Sequence, residues 1–573
     1  LAAEYPDDKG FGVTLIPMRE AVAGSFRTPL LALAGALAFV LLLTCTNIAN
    51  LQLVRLEGRR KELALRTALG AEQFDLIRQI LAEVLMLVIV AGVLGIMLAP
   101  TGVRLLLSLV PPDADSWLSI KTDKTVLMVS MVITLLTALV SGLIPALKIS
   151  RASLKGALSA GWGAVGTGGV NGKLRSGFLI AQLALAVIPL TGAGLLVSSL
   201  MNLEKVDPGF QSDHRLTMSF YAPRARYKDH DKLAQLAEQV ADQSRHIPGV
   251  KDAGVSQYLP FTPSLSWVQA ISLTDPKQNQ HLAELPHIKY APASTDFFEA
   301  MGIPIKSGRV FQQSDDQNAA PVAVINEALA KKYFPNEDPI GKQVWLGHAQ
   351  LLPTLPPRTI IGVVGDIVIN SLDESPRTAA WVPITQQTFF EDVWRSLYIV
   401  VHTNGEPQTA TSAIREEMAR IDPDLALADI ATMDERMSQS LWRNRLTAVT
   451  MGSLGIIAVF IAMLGVFGVT SYLVTQRSHE IGVRIAIGAQ RHHIYQLIMG
   501  QGLVLIASGI VIGIVGSLLL TQWLASLLYE VGTKDPVTLT AVSLLLAGAG
   551  LLACYIPARR ATRVDPLITL RTE

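Results

Sequence analysis

The chain has 573 residues, 50% hydrophobic and 17% charged, with a formal net charge of +1 and a mean hydropathy of +0.38. That is too apolar for an ordinary water-soluble protein of this length and too polar for a chain lying wholly in a bilayer. The near-zero charge excludes a nucleic-acid binder working by counterion release, and Cys45 and Cys554, both inside apolar runs, exclude a disulfide framework or a thiolate metal cluster.

The opening residues, LAAEYPDDKG, have neither a basic nor an apolar signal region, and they read as the middle of a longer protein rather than its start. Met18, Val22 and Phe26 then form an i, i+4, i+8 stripe, the mark of an amphipathic helix. It leads into Leu30–Val54, the first of seven runs long enough to span about 30 Å of hydrocarbon. The others are Ile80–Val110, Val126–Leu147, Phe178–Leu200, Leu446–Val474, Ile494–Leu528 and Val537–Ile556. Their middles carry no Asp, Glu, Lys, Arg or His, which argues against an ion-coupled carrier. Glu83 and Arg104 sit near opposite ends of the second run and read as interfacial anchors.

Lys and Arg gather after the first, third and fifth runs and in the C-terminal tail, whereas the loops after the second and sixth carry Asp113, Asp115, Asp123, Glu530 and Asp535. The positive-inside rule therefore places the C-terminus in the cytoplasm and residues 201–442 outside it.

The loop after the first run reads KELALRTALGA from residue 61, and the loop after the fifth reads HEIGVRIAIGA from residue 479, 418 positions later. Glu62, Arg66 and Gly70 match Glu480, Arg484 and Gly488. With a small gap, IPALKISR at 144–151 matches IPARRATR at 556–563, and upstream Met18, Val22 and Phe26 match Met433, Met437 and Leu441. Self-similarity over this length is an internal duplication. The Ala- and Leu-rich first copy favours helix for both loops, with the Glu-first pairs four residues apart and each glycine at a helix end. An apolar edge repeated in two such loops argues for docking onto a partner. The spacing Gly509-x-x-x-Gly513, echoed by Ala91-x-x-x-Gly95, permits close helix packing.

In the segment 201–442, residues 216–222 and 255–261 read as strands around a helix at 231–246, and 396–403 and 425–430 as strands around a helix at 407–421. These are two split β-α-β units, as in a ferredoxin-like layer. Between them lies an insertion of about 130 residues with strand-like 321–326 and 359–367.

Chemistry is not legible. No G-x-x-x-x-G-K-[ST] phosphate loop occurs. His492-His493 lacks further ligands at metal spacing, and Asp315-Asp316 and Glu416-Glu417 are adjacent pairs that read as surface charge. No catalytic residue, cofactor or metal is expected.

The E-x-x-x-R-x-x-x-G-A loops, the closing PARRA at 557–561, and the external stretches FFEAMGIPIKSGRVF (297–311) and VINEALAKKYFPNEDPIGKQV (324–344) resemble one family. It is the permease family of ABC systems typified by the macrolide exporter MacB, the lipoprotein-release permeases and the cell-division permease FtsX. The doubled arrangement resembles the large duplicated permeases frequent in Acidobacteria. The resemblance implies an α-helical integral membrane protein of the bacterial inner membrane, with seven spans and an α+β periplasmic domain. The implied division is 1–28 as the tail of a first external domain, 29–150 as a first FtsX-like membrane domain, 151–177 as a linker, 178–200 as a further span, 201–442 as a MacB-like periplasmic core domain and 443–573 as a second FtsX-like membrane domain. Against that plan, roughly 250 residues and one span are expected before Leu1.

The implied function is a non-catalytic permease for export or efflux, driven by a separate cytoplasmic ABC ATPase. That ATPase would dock at Glu62, Arg66, Gly70 and Glu480, Arg484, Gly488, moving stalk helices marked by Met18, Val22, Phe26 and Met433, Met437, Leu441. Membrane lipids and a periplasmic adaptor or envelope protein are the other implied partners. The alternatives are a signalling or scaffold protein regulating an envelope enzyme, or an orphan permease with no dedicated ATPase.

Overall fold

The computed structural model describes residues 17, 20, 24–59, 62, 65–66, 69, 72–111, 123–152, 170–262, 268–278, 282–387, 395–476, 478–487 and 490–562. The chain divides into two compact units, one comprising Lys205–Trp442 and the other the described residues of Pro17–Glu204 and Arg443–Glu573.

The second unit begins with four long helices, α1 (Arg27–Gly58), α2 (Gln73–Leu107), α3 (Lys124–Ala152) and α4 (Val170–Leu203). Continuing in chain order, the first unit holds strands β1 (Arg215–Tyr221), β2 (Val250–Ser256), β3 (Val268–Ser272), β4 (His287–Ala293), β5 (Ile305–Gly308), β6 (Val322–Asn326), β7 (Gln343–Gly347), β8 (Arg358–Val364), β9 (Ala379–Pro383), β10 (Ser396–Thr403) and β11 (Leu427–Thr432). Its helices are α5 (His230–Arg245), α6 (Phe297–Met301), α7 (Glu327–Tyr333), α8 (Thr411–Ile421) and α9 (Met433–Ser440). The chain then re-enters the second unit through α10 (Trp442–Gln476), α11 (Ser478–Ala486), α12 (Arg491–Leu520) and α13 (Pro536–Ala561).

Helices α1 to α4, α10, α12 and α13 supply seven segments long and apolar enough to cross a membrane. They differ in how they pack. In α4, 67% of the most apolar stretch is buried, against 17% in α1, α2 and α3, so α4 is the central post of its unit. Leu183, Val187 and Leu190 of α4 meet Val40 and Leu43 of α1, Ala458 and Ala462 of α10, Ile506 and Ile510 of α12 and Leu546 of α13 in one core. Small residues allow this. An added Cβ would stand 2.6 Å from the Leu183 Cβ at Gly509 and 2.6 Å from the Val187 Cβ at Gly513. The echoed positions differ, since Ala91 is exposed and a Cβ on Gly95 would meet nothing within 4 Å.

In the first unit, β11, β1, β10 and β2 lie side by side, each antiparallel to its neighbour. This is the strand order of two interleaved β-α-β units. The period-2 pattern of β1 turns Leu216, Met218 and Phe220 onto one face, where Leu233, Leu236 and Val240 of α5 and Ile414 and Met418 of α8 cover them. The second strand sits five residues earlier than the sequence pattern places it. Gly249 (φ +90°) starts β2 at Val250, and Phe261 at φ +59°, just after Pro260, prevents the apolar stretch Tyr258–Phe261 from continuing it.

The insertion closes on itself. β4 pairs with β3, β3 with β7, β7 with β8, β8 with β6, β6 with β9, and β9 returns to β4. Ile271, Ile288, Ile325, Leu329, Val344, Leu346, Ile360 and Val382 pack within one core of that ring. Closure removes the exposed edges of the participating strands.

Candidate functional site

The repeated loop is helical where it is described. α11 covers Ser478–Ala486, and Glu62, Leu65 and Arg66 are helical in the first copy. Glu480 and Arg484 pair at 2.5 Å and Glu62 and Arg66 at 2.7 Å, each across one helical turn. All four side chains are about half exposed, so each pair is worth only a few tenths of a kcal/mol. Arg66 also donates to the Gln79 amide oxygen at 2.8 Å, tying the first loop to α2. Gly70 and Gly488 lie outside the described residues.

The apolar edge of α11 is divided. Ile481 is buried against Ile494 of α12 and Ala561 of α13, whereas Ile487, one residue past the helix, is 81% exposed. Its match in the first copy, Leu69, is 80% exposed. Two bulky apolar side chains thus stand uncovered at equivalent places in both copies.

The second stripe belongs to α9. Thr432 and Glu435 form a reciprocal capping box that starts the helix. Met433 and Leu441 are buried and Met437 half-buried. Met433 packs into a core with Phe298 and Trp381. The expected continuous run into the following span is interrupted, because α9 ends at Ser440 and α10 starts at Trp442, with Leu441 as a turn between them. In the first copy, Phe26 closes a short 3-10 turn, Gly24–Phe26, immediately before α1, with the Arg443 guanidinium 5.9 Å from its ring centre. Met18 and Val22 lie outside the described residues.

Counting charges in the spans overlooks a buried amide cluster. Gln182 of α4 donates to the carbonyls of Ile461 at 2.9 Å and Ala462 at 3.5 Å, and Asn47 of α1 donates to Ile461 at 3.4 Å. Gln182 fits only because residue 465 is glycine, where a Cβ would fall 2.0 Å from the Gln182 amide nitrogen. A polar, uncharged residue in each of two spans was the available sequence signal.

The motif that carries the family resemblance supports the fold. Gly302 (φ +65°) ends α6, and Gly308 (φ +72°) lets the backbone approach the Ile361 carbonyl, which a Cβ would meet at 2.2 Å. Asn326 accepts from the Leu329 N–H at 3.1 Å and the Ala379 N–H at 2.9 Å, so it caps α7 and anchors β9 together.

Asp315 is not the surface charge its sequence suggests. It is buried and holds Arg309 through two bonds of 2.6 and 2.9 Å. Burial pushes its carboxyl up, but Arg309 and the Gln312 N–H outweigh that and hold it below the usual range. Its neighbour Asp316 accepts from the N–H groups of Asn318 and Ala319. Glu417 pairs with Arg420 at 2.8 Å. His492 and His493 are exposed with rings 3.9 Å apart. Among the described residues no group of three His, Cys, Asp or Glu side chains is placed to hold a metal.

Two family profiles match. The FtsX-like permease C-terminal domain matches twice, at residues 34–154 and 452–566, and the MacB-like periplasmic core domain matches at 185–417. The macrolide export ATP-binding/permease protein MacB of Marinobacter nauticus is 28% identical over 278 residues, covering 47% of this chain and 41% of that protein. Its namesake from Wolinella succinogenes is 27% identical over 290 residues, covering 49% and 43%. The chain therefore spans about two fifths of the length of the curated relatives it matches. Among solved structures, the periplasmic region of MacB from Actinobacillus actinomycetemcomitans aligns over 41% of this chain and 95% of its own, at 15% identity and a TM-score of 0.27. The extracellular domain of the noncanonic ABC-type transporter YknZ from Gram-positive bacteria aligns over 36% and 93%, at 19% identity and a TM-score of 0.24. With an FtsX-like domain on either side of a MacB-like core domain and seven apolar helices, the chain belongs to the MacB/FtsX-type family of ABC permeases.

Proposed function

We propose that this chain is the permease of an export system of the mechanotransmission type, moved by an ATPase on a separate subunit. The relatives' name joins ATP binding to permease, yet no phosphate-loop sequence occurs in these 573 residues. These residues therefore supply no phosphate loop of their own, and we assign ATP hydrolysis to a partner. The basic loops face that partner in the cytoplasm, and residues 201–442 lie on the opposite side of the inner membrane, as the positive-inside rule requires.

One observation carries the docking assignment: the matched exposure of Leu69 and Ile487, at 80% and 81%. Each stands three residues after the arginine of an exposed ion pair, Arg66 or Arg484. An apolar knob beside a polar rim is the arrangement of a small protein interface. Two such knobs in one chain fit a pair of ATPase subunits, one per copy of the repeat. The stripe Met433, Met437 and Leu441 on α9, with its counterpart Met18, Val22 and Phe26, would carry the motion outward.

The experiment is co-purification of the chain with its ATPase, carrying Leu69→Ser with Ile487→Ser, and separately Arg66→Glu with Arg484→Glu. Loss of complex and of stimulated ATP turnover in both double variants is expected. Unchanged complex and turnover would refute the docking assignment while leaving the family intact.

A further inference from the structure

An open cleft of about 420 Å³ lies on the closed strand ring, away from the loop and stripe residues discussed so far. β4 supplies His287 and Lys289 to it, α7 supplies Lys332, and the segment entering β9 supplies Arg377. Four basic side chains from three separate elements therefore line one concavity. Glu374 holds Arg377 at 3.2 Å and accepts from Asn370 at 3.1 Å. Lys332 also lies 5.2 Å over the Tyr333 ring.

The wall is pinned at the backbone. The Lys289 N–H donates to the Thr378 carbonyl at 2.9 Å, and the Asn326 side chain donates to the Arg377 carbonyl at 2.8 Å. Lys289 itself is only 9% exposed. Burial, and next the nearby Arg377, hold its ammonium below the ordinary range, with Glu374 opposing them. An anion entering the cleft reverses the charge part of that penalty.

We propose that this cleft binds an organic phosphate. A dianionic phosphate suits a cluster with excess positive charge, with the Arg377 fork and two ammonium groups as charge-assisted donors. The volume lies within the usual range for organic ligands, roughly 300–1,000 Å³, which leaves room for more than the phosphate alone. Both a soluble phosphomonoester and a lipid phosphate headgroup carry this chemistry.

The test uses the full chain in uncharged maltoside micelles at low ionic strength, titrated calorimetrically with glycerol 3-phosphate and with dihexanoyl phosphatidic acid. Saturable binding of at least one is expected, about tenfold weaker in exposed Lys332→Gln and weaker again when Arg377→Gln is added. Lys342→Gln, on a surface pair with Glu337, leaves it unchanged. Equal affinity for the two probes assigns a soluble ester, and tenfold preference for the phosphatidic acid assigns a headgroup. No saturable binding of either probe up to about 10 mM, or binding insensitive to both cleft substitutions, overturns the proposal.

Discussion

Gly513 and Val187 lie so close that a Cβ added to the glycine would stand 2.6 Å from the valine Cβ. Real Cβ atoms do not approach so closely, so Gly513→Ala forces α12 away from α4. Overpacking of this kind costs about 1–3 kcal/mol. The same change at Gly95, the matching position in the first copy, meets open space and replaces glycine by a better helix former. Thermal unfolding in detergent should show Gly513→Ala clearly destabilised and Gly95→Ala at or above the parent. Equal melting temperatures for the two variants would contradict the packing.

Arg436 ties α9 to the sheet. Only 3% exposed, it donates to the Thr217 hydroxyl at 2.6 Å, the Asp429 carboxylate at 2.9 Å and the Asp429 carbonyl at 2.6 Å. Arg436→Met removes three bonds that hold the helix onto β1 and β11, at a cost of about 2–4 kcal/mol. Hydrogen exchange should show α9 and β11 losing protection before α5 and β2.

Glu238 makes stability depend on pH. Burial, with a smaller push from Asp296, raises its carboxyl to about 7, although it accepts the Thr295 N–H at 3.2 Å. The folded state therefore keeps a proton that the unfolded state has already released above pH 4.5. Its contribution falls as pH rises from about 4.5 to 7 and is flat beyond that. Glu238→Gln should flatten the wild-type slope, removing a fall of about 3 kcal/mol across this window. Parallel pH profiles of parent and variant would show no such contribution.

Topology can be read by labelling. With Cys45 and Cys554 replaced by alanine, Lys534→Cys, in the loop between α12 and α13, should react with an impermeant maleimide added outside intact spheroplasts. Arg559→Cys, at the far end of α13, should react only after lysis. The reverse pattern would invert the orientation drawn from the basic loops.

Hydropathy alone located the seven spans among the described residues, because each needs about 20 mostly apolar residues to cross the hydrocarbon whether lipid or other helices surround it. The duplication and the helical form of the Glu-x-x-x-Arg loops were equally local, resting on period and propensity. The strand Val250–Ser256 was only half legible, since Tyr258 and Leu259 look like strand until the positive φ of Phe261 is known.

Partnership was not readable from a linear sequence. Matched glycines at 95 and 513 say nothing of which one faces α4, and the two copies differ because only one is packed against it. Closure of β9 onto β4 depends on pairings between residues about 90 positions apart. Asp315 looked like surface charge until Arg309 folded over it. The basic cleft joins Lys289, Lys332 and Arg377, which the sequence scatters over 89 positions. Local periodicity sets what each segment is, but burial and charge at a given side chain are sums over neighbours that only the folded chain assembles.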